Sequence, residues 1–123
     1  MSFEELARDL RPVLYEYYEA LKKYGDLEYC EAIVKADRET GINEKIDRIV
    51  RKHLPNARRE NYYTTDYDLS LALYELDDKI IEIVMDDFNY MCDLYKLKEV
   101  LPEKPSFHIL VYHEGYLEKA ISI

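Results

Sequence analysis

The hydrophobic period of this chain first changes near residue 60, and that switch decides which class of fold it can enter. Upstream, apolar side chains recur at steps of three and four, as on a helix with one buried stripe. Downstream they alternate every second residue, as on strands whose two faces meet different surroundings. A chain that is helical first and strand-forming afterwards reads as α+β, with helices gathered on one face of an antiparallel sheet.

Ser2 with Glu5 three residues later has the pattern of a capping box. Phe3, Leu6, Leu10, Val13, Leu14, Tyr17, Leu21 and Tyr24 follow at helical spacing. Pro12 predicts a kink or a restart, and Gly25 the end of the helix. Residues 27–36 read as a second helix or as a strand, and their alanine and glutamate content tilts the reading toward helix. After Gly41, Ile42, Ile46, Ile49, Val50 and Leu54 give a short amphipathic helix stopped by Pro55.

From there the period is two. Leu69, Leu71 and Leu73 alternate with Asp68, Ser70 and Ala72, and beyond a tight Asp77-Asp78-Lys79 turn Ile81, Ile83 and Met85 alternate with Ile80, Glu82 and Val84. Asp87 is placed to cap a helix over 88–101, closed by Pro102. Residues 106–113 and 116–123 form a second hairpin around Gly115. The expected fold is α+β: N-terminal helices, then a roughly four-stranded antiparallel sheet built from two hairpins joined by a helix, in a single domain over residues 1–123.

Composition narrows the habitat. The net charge of −9 argues against general binding of nucleic acid or anionic membrane. No apolar run approaches the roughly 20 residues of a membrane helix, and the acidic, amphipathic N-terminus is not a signal peptide, so the expected location is the cytoplasm. Cys30 and Cys92 read as reduced, small apolar residues rather than a disulfide framework. Glutamine is absent while Glu, Lys, Tyr and Ile are plentiful, a thermophile-like balance.

Charge is unevenly spread. Residues 44–59 carry six basic and two acidic side chains, and residues 60–87 carry nine acidic and one basic. Adjoining segments of +4 and −8 suggest pairing within the chain or between copies. The second face of the first hairpin, Ser70, Ala72, Tyr74, Ile80, Glu82 and Val84, is too apolar for a fully wet surface and too polar for a full core, and reads as an interface with a second copy or as a face covered by a loop or helix of the same chain. A helical projection groups Arg8, Arg11, Tyr15, Tyr18 and Lys22 on one stripe of the first helix. With Lys45, Arg48, Arg51, Lys52, Arg58 and Arg59, followed by Tyr62 and Tyr63, this stripe is a candidate anion-binding surface.

Catalytic readings are weaker. Asp77-Asp78-Lys79 has a bare nuclease-like spacing, with Asp66 and Asp68 upstream, but it falls in a turn rather than along a strand. His108 and His113 are an odd number apart and point to opposite sides of a strand, and His53 suits the last turn of its helix. The sequence therefore predicts no catalytic residue, no metal and no cofactor. It favours a small interaction or regulatory module, homodimeric or binding another protein. The alternatives are a nucleic-acid-associated or nucleic-acid-mimicking regulator, and a small metal-dependent hydrolase using the hairpin carboxylates.

Overall fold

The Ser2 side chain accepts a hydrogen bond from the Glu5 amide and starts helix α1, Phe3–Lys23. Glu4 and Glu5 occupy its first turn and Lys22 and Lys23 its last, the arrangement that the helix dipole favours. The computed structural model of the chain describes residues 2–60, 69–88 and 92–123. Helix α1 continues through Pro12, whose ring lies on the exposed side. The ambiguous segment after Gly25 is helical: α2 spans Tyr29–Thr40, and Gly41, at a left-handed φ of 62°, turns the chain directly into α3, Ile42–His53.

Among the described residues five strands follow: β1 (Arg58–Glu60), β2 (Leu69–Leu76), β3 (Lys79–Met85), β4 (Phe107–His113) and β5 (Tyr116–Ser122). They form one antiparallel sheet in sequence order, so each strand lies beside its predecessor. The fold is α+β as expected, with β1 as an additional edge strand. Helix α1 packs on β4 and β5, and α3 on β2. Leu6, Leu10, Leu14 and Leu21 of α1 meet Ile81, Ile83, Phe107 and Ile109 of the sheet in one fully buried core. Two loops are tight. Asp77 takes φ 55° between β2 and β3, and Glu114 and Gly115 take φ 51° and 83° between β4 and β5, as a primed hairpin turn requires.

The expected helix over 88–101 is corrected. Only α4, Leu97–Val100, is helical there, and residues 89–91 lie outside the described residues. Asp87 and Asp93 sit at φ 55° and 65°, a left-handed geometry that a right-handed helix cannot contain. Phe88 is instead a core residue, fully buried with its ring 5.0 Å from that of Tyr29. The chain then runs back along the α1–α2 junction. Tyr29 N–H donates to Tyr95 O (3.0 Å), Leu97 N–H to Leu27 O (2.9 Å) and Lys98 N–H to Gly25 O (2.9 Å). Gly25 is needed for this approach, because a Cβ there would lie 3.1 Å from Lys98 Cβ.

Ile83, fully buried between helices and sheet, and Ile80, part-exposed on the other face, give a test of the layering. Ile83→Ala is expected to lose about 2–5 kcal/mol in urea unfolding. Ile80→Ala should lose a small fraction of that, and equal losses would contradict the assignment of faces.

Candidate functional site

The two faces of the sheet are set by an irregularity in β2. Ser70 pairs with Val84, but Ala72 pairs with the neighbouring Ile83, so Leu71 is an extra residue on β2. Directly paired residues share a face. Ala72 and Tyr74 therefore side with Ile83 and Ile81 in the helix-facing core, at 4% and 0% exposure. This corrects the expected interface set. Ser70, Ile80, Glu82 and Val84 remain on the outer face, joined there by Leu73, while Ala72 and Tyr74 leave it. The sequence shows uninterrupted alternation through Ser70-Leu71-Ala72 and carries no mark of the bulge.

Three rows cross the outer face. One runs Arg58, Glu75, Ile80, Tyr112, Leu117, the next Glu60, Leu73, Glu82, Leu110, Ala120, and the third Ser70, Val84, His108, Ser122. Burial falls across them toward β5. Leu73, Glu82 and Val84 are buried within the single chain, Ile80, Leu110 and Tyr112 are half-buried, and Ala120 and Leu117 are exposed, Leu117 at 55%. The apolar surface left open is thus the β3–β5 end of the face, beside the outer edge of β5. Leu110, Tyr112, Leu117 and Ala120 were missed in the sequence, where alternation reveals strands but not which strand lies beside which.

Tyr74 links the sheet to α3. Its hydroxyl donates to Asp47 Oδ1 (3.0 Å) and accepts from Arg59 Nη1 (3.2 Å). Arg59 also donates to Asn43 Oδ1 and Leu71 O, and Arg51 Nε donates to Asp47 Oδ2 (2.9 Å). Burial raises the Tyr74 hydroxyl pKa to about 12. Burial opposes ionisation of Asp47, but the hydrogen bonds from Arg51 and Tyr74 outweigh it and hold the carboxyl below its ordinary value.

The basic set is divided between structural roles and open surface. Tyr18 is buried and donates its hydroxyl to Pro102 O. The Tyr15 ring lies 6.2 Å from Phe107, with the Arg11 guanidinium 4.6 Å above it. Lys22 lies over Tyr18 and is 3.7 Å from Glu19. Tyr18 therefore leaves the expected stripe on α1, whereas Arg8, Arg11 and Lys22 stay exposed and Tyr15 is half-buried. Arg58 is bonded to Glu60 (2.8 Å) and Glu75 (2.9 Å), and Lys45 to Glu16 (3.0 Å). Arg8 and Arg11 line an open groove of about 240 Å³ with Ala7, Ile121 and Ile123. Arg8 and Lys52 both act on Asp9, whose carboxyl is held below its ordinary value mainly by its hydrogen bond to His53 (2.6 Å). Arg48 is exposed on α3. Tyr62, Tyr63, Asp66 and Asp68 lie outside the described residues.

Asp78 and Lys79 of the β2–β3 turn are engaged with β4 and β5. Asp78 bonds His113 (2.8 Å) and Lys79 bonds Glu118 (2.8 Å). His108 holds Asp86 (2.6 Å), so each of the three histidines contacts its own aspartate.

One cluster was not expected. Cys30 and Cys92 are paired as a disulfide, with their Cα atoms 5.1 Å apart, within the range of one. This corrects the reading of two separate reduced thiols. Cys30 sits in the first turn of α2, and the left-handed turn at Asp93 brings Cys92 back to it. Glu28 caps α2. Its carboxylate accepts from the amides of Cys30 (3.0 Å), Glu31 (3.1 Å) and Asp93 (2.6 Å). The Cys30 and Asp93 amides hold this carboxyl below its ordinary pKa. Two cysteines 62 residues apart carry no spacing signal, so only the fold could join them.

Tyr74→Phe would leave Asp47 and Arg59 each short of a partner, and is expected to cost about 1–3 kcal/mol in urea unfolding. Tyr74 ionises later in the folded chain than in the unfolded one. Its contribution is complete below pH 10 and is lost as pH rises toward about 12. Part of the wild-type alkaline destabilisation should therefore vanish in the Phe variant. For the cysteines, closing a loop of 62 residues gives at most about 4 kcal/mol. The unfolding midpoint of the untreated protein should fall when a thiol reductant is added, and that of Cys92→Ser should not respond. A wild-type midpoint indifferent to reductant would mean that the sulfurs are not bonded.

Among the described residues no helix is long and apolar enough to cross a membrane. No protein-family model matches the chain, and neither a curated protein nor a solved structure is similar to it.

Proposed function

We propose that the protein is a small, non-enzymatic interaction module of the cytoplasm that works as a homodimer joined through the β3–β5 end of the outer sheet face. The observation that supports this reading is the row Ile80, Tyr112, Leu117 with Leu110 and Ala120 beside it. These apolar side chains from three adjacent strands are left half-buried or exposed, while the helices gather on the opposite face. Such a surface loses free energy when covered, and a closed symmetric pair is the commonest way to cover it. Leu117 lies on the edge strand, so a partner seated here also meets the outer edge of β5. Of the charge-segregated segments, Arg58 already holds Glu60 and Glu75 inside one chain.

A second reading, a nucleic-acid-associated regulator, draws on the convergence of Arg8 and Lys52 around Asp9 and on Arg11 beside them in the groove. It predicts binding to labelled DNA or RNA that weakens steeply with salt.

Light scattering at low and high salt separates the readings. The expected mass is twice the 14.8 kDa of one chain at both salt concentrations, since an apolar contact does not depend on screening. Leu117→Glu, at an exposed position that the fold does not need, is expected to give a folded monomer. A wild-type monomer at both salts, or a dimer indifferent to Leu117→Glu, would remove this interface from consideration.

A further inference from the structure

We propose that Glu28, Cys30 and Cys92 form a binding site for one thiophilic divalent cation of the zinc class, available when the two cysteines are reduced and closed when they are joined. One carboxylate oxygen and two sulfurs, offered by the capping residue of α2, its first turn and the returning chain, all lie within 4.8 Å of one another. Ligands bound to a tetrahedral cation at about 2.0–2.3 Å stand roughly 3.3–3.8 Å apart, so after reduction the sulfurs part by about 1.7 Å to admit the ion. Two sulfur donors select a soft or borderline cation over magnesium or calcium.

The surroundings fit that use. Three backbone amides orient the Glu28 carboxylate, as outer hydrogen bonds orient ligands in built metal sites. A carboxylate and two thiolates around a dication leave one net negative charge, which the N-terminus of the 12-residue α2 favours. All three residues are half-buried, so the ion has a route in and a water can occupy the fourth position. The chemistry balances. A phosphine or dithiol reductant supplies two electrons and is itself oxidised, two protons complete the thiols, and the incoming cation then displaces those two protons to solvent. Disulfide and metal site are thus alternative states of one pair of sulfurs.

Cobalt(II) is the probe of choice, because thiolate ligation gives a charge-transfer band in the near ultraviolet. The full chain is reduced with a phosphine, freed of reductant under anaerobic conditions, and checked for two free thiols. The expected result is a band saturating at one cobalt per chain and abolished by zinc. It should be absent in Cys30→Ser and in Cys92→Ser, with affinity lowered about tenfold or more in Glu28→Gln, which keeps one of the two capping oxygens. Circular dichroism of each variant shows whether it has folded. Three results would overturn the proposal: no band in wild-type protein with two free thiols, a band that survives in Cys92→Ser, or a cystine that resists reduction in the folded chain. An unchanged affinity in Glu28→Gln would remove the carboxylate from the site.

Discussion

The extra residue in β2 is the constraint on which the rest of the molecule depends. A strand's two faces exchange at every one-residue shift of register. Leu71 introduces such a shift partway along β2. Above the bulge Leu69 faces the helices opposite Met85, and below it Ala72 and Tyr74 do so opposite Ile83 and Ile81. Small Ala72 leaves room where the isoleucines crowd. Long Tyr74 reaches through the apolar layer to Asp47 on α3. Had the alternation continued unbroken, Leu73 would be inside, the Tyr74 hydroxyl outside, and α3 without its polar tie to the sheet.

That tie also decides how the uneven charge is used. The basic run of α3 and β1 is brought against the β2 side of the sheet. Arg59 reaches Tyr74, Arg51 reaches Asp47, and Arg58 reaches Glu60 and Glu75. Exposed ion pairs of this kind contribute little individually at ordinary temperature. Lys23–Glu39, Lys45–Glu16 and Lys98–Asp26 are separate pairs of this kind, each linking different parts of the chain. Between the two oppositely charged segments, Arg58 with Glu60 and Glu75 is the ion pairing shown among the described residues, while Arg48 and Lys52 stay exposed on α3.

The fold class was legible because both periods are strong. The α1 stripe of Leu6, Leu10, Leu14 and Leu21 and the alternation through Ile81, Ile83 and Met85 leave little freedom about which elements form. The faces were less legible. A bulge needs no special residue, and Ser70-Leu71-Ala72 reads as ordinary strand. The helix expected after Asp87 failed for a related reason. Aspartate serves equally as a helix cap and as a left-handed turn residue, and here tertiary contacts chose the turn, with Phe88 drawn into the core against Tyr29. Tyr18 was misplaced because a helical wheel assumes one buried side, whereas α1 is covered on two. The cysteine cluster was not legible at all, since its members meet only through the return of residues 92–96.

That return also explains why the two states of the cysteines are compatible with one fold. The cystine is not alone in holding residues 92–98 to the α1–α2 junction. Tyr95, Leu97 and Lys98 are tied by backbone hydrogen bonds to Tyr29, Leu27 and Gly25, and the Asp93 amide is bound by Glu28. A disulfide acts mainly by restricting the unfolded chain, and its loss leaves these native contacts in place. Leu97 and Phe88, both fully buried, anchor the segment from the core side. Opening the sulfur bridge therefore frees two thiols without freeing the backbone that positions them. A ligand set kept in place through reduction is preorganised, so a cation entering there does not have to order the chain first.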